Sequence, residues 1–266
     1  MTGAARAGGR PSRPVWLLLP ACVAVAVVVI PLLALGARAD WPAIPSHLST
    51  STALPALRLS LLTTTCTVLI CLALGTPLAW LMARSSSRAS PWLRAVITVP
   101  LVLPPVVGGV ALLMAWGRNG VLGAPVFHAF GFSLPFTPPA VVVAETFVSL
   151  PFYVIAVEAA MRGLDPRLDG IAATLGASEL RIFRTVALPL VAPGIASGAA
   201  LAWARALGEF GATITFAGNF TGRTQTAPLA VYVALEQDPQ TAIAISLLML
   251  VVSVAVLGAL RGRWLR

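Results

Sequence analysis

Three groups of residues in this 266-residue chain have types and spacings suited to work beyond packing. The first lies in residues 164–195, LDPRLDGIAATLGASELRIFRTVALPLVAPGI, between two strongly apolar segments. That stretch carries Asp165, Arg167, Asp169, Glu179, Arg181 and Arg184, more charge than a short membrane-bordering loop needs for solvation. The second is Arg205 with Glu209, four residues apart and therefore neighbours on a helix face. The third is Glu145, alone in an apolar run. Carboxylates deep in such runs are expensive and turn towards a bundle interior or cavity, so Arg205 and Glu209 are expected to pair there.

None of these groups forms a catalytic set. The chain has no Gly-rich Lys-Ser/Thr phosphate loop and no nucleophile elbow. Cys22, Cys66 and Cys71 all fall in apolar runs without zinc or redox spacing, and read as small packing residues. His47 and His128 stand in loops with no neighbour at ligand spacing, and no role is expected for either. The chain is therefore not expected to be an enzyme, to hold a cofactor or metal, or to hydrolyse a nucleotide. Glu145 and Glu209 are too few for a typical proton-coupled carrier, so the energy source is expected to be external. A stand-alone secondary anion carrier is the alternative of a different class.

The elements that must position these residues are apolar spans. The composition is 58% hydrophobic and only 10% charged, against roughly 25% charged in soluble domains. Uncharged runs reach the roughly 20 residues that cross a bilayer. Six spans are expected: 14–37, 56–83, 95–116, 138–161, from about 190 to the 200–219 stretch, and 239–260. Pro77 should kink the second. Pro100, Pro104, Pro105, Gly108 and Gly109 should bend the third. Residues 38–55 read as an outer loop, 117–137 and 213–238 as segments facing outside, and Thr63, Thr64 and Thr65 as hydroxyls that can bond back to their own helix. The net charge of +9 comes from arginine alone. Thirteen of the 18 arginines fall in segments this topology places inside, against Arg38, Arg118 and Arg223 outside. That asymmetry puts both termini in the cytoplasm and leaves no basic face for nucleic acid. The fold class expected is an all-α polytopic membrane protein, with a disordered cytoplasmic tail over 1–14 and a transmembrane domain over 15–266.

Within the charged stretch, Leu168, Ile171, Ala172 and Leu175 recur at i, i+3, i+4 and i+7, one apolar stripe on a short helix. Asp169 suits its first turn. Gly176 ends it, or lets another backbone approach. Gly176 is followed by nine residues and then Val186-Ala187-Leu188-Pro189. This spacing resembles the EAA loop of permease subunits of binding-protein-dependent ABC importers: an EAA triplet, three residues, a glycine, nine residues, then I-x-L-P. The triplet here reads Gly170-Ile171-Ala172, and Asp169, one residue early, stands where its acid would be. The resemblance covers about residues 56–266 and implies a type I importer permease fold. It makes 162–189 the loop that couples the permease to an ATPase, through Asp169, Gly170, Ile171, Ala172, Gly176, Ala177, Leu188 and Pro189. ATP and magnesium would bind a separate cytoplasmic subunit. The other implied partners are an extracytoplasmic substrate-binding protein and a second permease copy, in the cytoplasmic membrane of a bacterium.

The stretch ARALGEFGATITFAGNFTGRTQTAPLAVY, residues 204–232, resembles permeases of the molybdate type, near the sulfate type. That likeness implies an oxyanion substrate, molybdate before tungstate, sulfate or thiosulfate. It also implies a gate and path formed by Arg205, Glu209, Phe210, Gly211, Thr213 and Asn219. Thr215, Arg223, Thr224 and Gln225 add hydrogen-bond donors near the outer mouth.

Overall fold

The structure, a computed structural model, describes residues 15–85, 90–165 and 167–261. The tail expected over 1–14 and the arginines at 6, 10, 13, 88, 263 and 266 lie outside them. Every regular element among the described residues is helical. The chain divides by contacts into two units, Met1–Trp41 and Pro42–Arg266.

The first unit holds α1 (Leu18–Ala37), apolar on every face. Its C-terminal end is closed by the Trp41 indole N–H, which donates to the Gly36 carbonyl at 3.1 Å.

The second unit begins with α2 (Ile44–Leu48) and α3 (Ala53–Ile70). A five-residue π-turn, Cys71–Gly75, joins α3 to α4 (Thr76–Arg84) in one 32-residue apolar span. A proline lacks its N–H and crowds the carbonyl four residues back. For Pro77 that carbonyl belongs to Ala73, inside the π-turn, so the wide turn absorbs the proline that was expected to kink the span.

The third expected span is broken rather than bent. α5 (Ser90–Val102) and α6 (Pro105–Trp116) meet at 116°, because Pro104 is extended and the second helix restarts on Pro105. The 117–137 loop contains α7 (Gly123–Phe130). With α5 and α6 taken as one span, α1, α3–α4, α8 (Pro138–Arg162), the helix entering at Glu179 and α14 (Pro239–Arg261) bring the number of membrane-crossing elements to six.

α8 is the central beam. Its buried residues Ala140, Val141, Ala144 and Val148 pack at one end with Leu112, Ala212 and Phe216. At the other end Tyr153, Val154, Val157 and Met161 pack with Cys71, Ala79, Met82 and Val191. The tightest approach is to the long fifth span: a Cβ on Gly198 would meet Val157 at 3.1 Å, and one on Gly194 would overlap the Ala160 methyl. Small residues bring membrane helices into such contact. The Tyr153 ring also fills the space beside Gly75, where a Cβ would meet it at 2.5 Å, and its hydroxyl bonds with the Thr76 hydroxyl at 2.6 Å. Of the three cysteines, only Cys71 packs in this core; Cys22 and Cys66 are exposed on apolar helix faces.

Candidate functional site

After α8 come α9 (Arg167–Thr174) and α10 (Glu179–Ile182). A second π-turn, Phe183–Ala187, runs directly into α11 (Leu188–Leu207). The fifth span therefore does not start near residue 190. It is continuous from Glu179 to Leu207, 29 residues. Pro189 explains the second wide turn as Pro77 explains the first: its i−4 carbonyl, on Thr185, lies inside the π-turn.

The short helix predicted around 168–175 is present, and so is its stop. Gly176 adopts φ +81°, its N–H donates to Ala173 O at 2.9 Å, and the Ala177 N–H donates to Ala172 O at 3.1 Å. This pair of bonds is a Schellman cap, which wants glycine at the left-handed position. A Cβ on Gly176 would meet nothing in this chain, so the need here is conformational. Leu168, Ile171 and Leu175 are 38%, 58% and 82% exposed, so the predicted apolar stripe is an open face. Asp169 turns the other way. Its Oδ2 lies 2.8 Å from Nη2 of Arg84, at the end of α4. A cleft of about 570 Å³ opens between these elements, lined by Trp80, Arg84, Asp169, Gly170, Glu179 and Ile182 among others. Nearby, Glu158 is buried and held by Arg94 of α5 and by Arg162 at 3.0 Å. Leu188 and Pro189 sit inside the helix rather than at its start.

The other end of the same helix carries the second group. α11 stops at Leu207, so Arg205 and Glu209 are not on one helix face as expected; Gly208 ends the helix and Glu209 follows it. They pair nonetheless, at 2.7 Å, with the Glu209 side chain 1% exposed. The second Glu209 oxygen accepts the Ala212 N–H at 2.7 Å, fixing the start of α12 (Gly211–Phe216). Phe210 stacks edge-on against Tyr232 of α13 (Ala227–Gln237), with centroids 5.4 Å apart. Gly211 presses on the broken third span, where a Cβ would meet Pro105 Cβ at 2.7 Å; Gly109 is equally close to α12, where a Cβ would meet Thr215 Cβ at 2.6 Å. The break after α11 and the break before α6 thus touch. Thr213 is fully buried here, its hydroxyl without a partner. Asn219 lies beyond α12, and no contact among the described residues joins it to the Arg205–Glu209 pair.

The segment 213–238, expected on the outer side, is largely helical. It folds into α12 and α13, and Thr224, Gln225 and Thr226 are buried. One expected donor is used locally, the Thr215 hydroxyl donating to Gly211 O at 2.8 Å, while Thr224 Oγ1 accepts the Phe220 N–H at 3.1 Å.

Sequence reasoning missed two polar clusters. Thr63 and Thr67 donate to the two oxygens of Glu145, at 2.8 and 3.0 Å, and Ser60 one turn earlier accepts the Ala227 N–H at 2.7 Å. Ser60, Thr63 and Thr67 recur at helix spacing, a signal that was available; Thr65 bonds back to its helix as expected, to Leu61 O at 2.6 Å, and Thr63 also reaches Ser60 O, at 3.3 Å. The second cluster overturns the reading of His47 as isolated. Its Nδ1 lies 2.9 Å from the Thr241 hydroxyl and 3.3 Å from Asp238. The Thr241 hydroxyl bonds to Asp238 in turn and, with the His47 charge adding to it, holds that carboxyl below the ordinary aspartate range.

Three comparisons with known proteins bear on this arrangement. Residues 75–265 match the family described as "Binding-protein-dependent transport system inner membrane component". The molybdenum transport system permease protein ModB of Mycobacterium tuberculosis is 46% identical over 91% of this chain and 92% of its own length. That of Escherichia coli is 40% identical over 79% and 92%. Among solved structures, the bacterial alginate ABC transporter with its pentasaccharide-bound periplasmic protein superposes with a TM-score of 0.71 at 16% identity, over 92% of both chains. The inward-facing methionine ABC transporter MetNI gives 0.60 at 15% identity, over 78% of this chain and 92% of its own. The likeness in shape carries the type I importer permease fold, and the match in sequence carries the family: the chain belongs to the inner membrane components of binding-protein-dependent transport systems.

Proposed function

We propose that this chain is the permease of a molybdate importer, driven by ATP hydrolysis in a separate subunit. The observation that carries the reading is 46% identity along nine-tenths of the chain to relatives named for molybdenum transport. In this reading no cofactor binds the chain itself. ATP and magnesium belong to a cytoplasmic ATP-binding subunit, cargo arrives on an extracytoplasmic binding protein, and two permease copies form the path in a bacterial cytoplasmic membrane. Both termini face the cytoplasm, as the arginine distribution favours.

The geometry supports a lever. The open stripe Leu168, Ile171 and Leu175 gives an ATP-binding subunit an apolar face to grip. α9 joins, through the Gly176 cap, a helix of 29 residues, roughly 43 Å at about 1.5 Å per residue. Its far end is the Arg205–Glu209 break, which presses on Pro105 through Gly211. When the ATP-binding subunits close, a push on α9 is delivered to the break, where the third and fifth spans change direction together. ATP and loaded binding protein then favour different states of one equilibrium, and alternating access follows. Buried hydroxyls such as Thr213 offer donors to a tetrahedral dianion without a strong charge that would retain it.

The test is ATPase activity of the assembled complex in liposomes, titrated with molybdate and separately with sulfate and tungstate, in the presence of binding protein. Stimulation by molybdate is the expected result. Stimulation by sulfate alone moves the substrate and keeps the mechanism. Anion flux without any ATP-binding subunit would replace this reading with a secondary carrier.

A further inference from the structure

The acid of the charged stretch sits one residue before the triplet Gly170-Ile171-Ala172. One residue turns a helix by about 100°, which moves the carboxylate off the face that residue 170 presents. The structure shows where it goes. Asp169 reaches Arg84, and the two side chains are 25% and 21% exposed, more sheltered than an ordinary surface pair. The Arg84 guanidinium stacks 4.9 Å above the Trp80 ring, and Trp80 packs on Phe183 with centroids 5.4 Å apart. Phe183 opens the π-turn at the root of the long helix. A chain of contacts thus runs from α9 through the end of the second span to the root of the fifth. It lies behind the apolar stripe, lines the cleft, and leaves Leu168, Ile171 and Leu175 outward.

We propose that Arg84 and Asp169 are a positioning pair that sets the angle of α9 on the second span, so that the acid works within this chain and the apolar stripe alone meets the ATP-binding subunit. The proposal rests on α9 being the docking helix. Charge holds the helix from behind. A stacked guanidinium suits the task, because the Trp80 ring holds its plane while one nitrogen meets the carboxylate as an ion pair. Without the pair, α9 can still be gripped, but the push no longer reaches the long helix at one angle.

The experiment measures molybdate taken up per ATP hydrolysed by the complete complex in liposomes. The variants are Asp169→Asn, Arg84→Gln, Arg84→Lys and the exchange of Arg84→Asp with Asp169→Arg. The neutral single variants should retain the ATP-binding subunit on purification and lose about fivefold in uptake per ATP, the low end of coupling effects. Arg84→Lys and the exchange both keep the opposite charges but lose the Trp80 stack, so each should recover part of it. Two results overturn the proposal. One is loss of the ATP-binding subunit in Asp169→Asn but not in Arg84→Gln, which would assign the acid to the partner. The other is an exchange no better than the single variants. If the wild-type complex ignores molybdate, the substrate reading fails instead. The pair is then judged by a double-mutant cycle on melting temperature, where strictly additive single effects overturn it.

Discussion

The two ends of the 29-residue helix Glu179–Leu207 are built on opposite principles. At the Glu179 end the neighbouring α9 presents leucines to the outside, Gly176 is chosen for its backbone angle, and a Cβ there would touch nothing. At the Leu207 end Glu209 and Thr213 are buried, and glycines are chosen because Pro105 and Thr215 leave no room for a methyl group. The first end is specified by conformation and left open on one side. The second is specified by packing around buried side chains. An element that must be gripped by another chain can be precise without being covered. An element that must move against its own chain has to be in contact before it moves.

The largest effect expected from this contrast is at the closed end. Glu209→Ala strands the Arg205 guanidinium and the Ala212 N–H together; breaking one side of a buried pair costs about 3–5 kcal/mol. Uptake at matched expression should fall far below that of Asp238→Ala, whose carboxylate is half exposed. Equal uptake in the two variants would erase the distinction between the ends. Next comes Gly211→Ala. The added methyl must displace Pro105, and overpacking of this kind costs about 1–3 kcal/mol, read as a lower melting temperature of the purified permease. Gly176→Leu should be milder for the fold and worse for coupling. The left-handed angle costs a side chain about 1–2 kcal/mol, yet the space is open. Melting should drop by about 2–8 °C while uptake per ATP falls. A variant that melts and transports like wild type would show that the open end tolerates what the closed end does not, but that its angle is irrelevant.

The smallest effect is at Asp238, just outside the last span. Its carboxyl is held down by the Thr241 hydroxyl first, and by Thr241 N–H and the His47 charge after it. A lowered carboxyl stabilises the fold above its unfolded value and loses that contribution as pH falls through the folded one. The wild type should therefore lose stability below about pH 4 slightly more steeply than Asp238→Asn. Parallel melting curves of the two against pH would remove the Asp238–Thr241 bond from the account.

The exposed end was the more legible of the two. The spacing of Leu168, Ile171 and Leu175 and the position of Gly176 are local, and a helix with its cap follows from neighbours in the chain. The pairing of Arg205 with Glu209 was legible as well, but the helix beneath it was not, because Gly208 ends α11 while the pair survives across the stop. Residues 213–238 misled for a physical reason. Threonine and glutamine look like loop residues, and in a membrane protein they are also what a buried polar interior is made of. The break at Pro104 read as a bend, since prolines announce a deviation and not its angle. His47 and Thr241 are 194 residues apart, and nothing local marks them as partners. The link from Asp169 to Arg84 is invisible for the same reason: the acid was seen, its address was not.

The packing around Tyr153 has a kinematic consequence. Its ring occupies the hollows left by Gly75 and Gly198, and Gly194 rests on Ala160. The second, fourth and fifth spans are therefore keyed together at this level, and no one of them can slide without lifting the others out of register. α6 and α12 are keyed to each other in the same way through Gly109 and Gly211. α8 packs on both groups, and the third and fifth spans change direction at two short linkers that touch, one at Pro104 and one at 208–210. The proposed cycle requires the third and fifth spans to turn along a line through both. A crosslink laid across that line should arrest the cycle, while one laid between α8 and α11 should go unfelt.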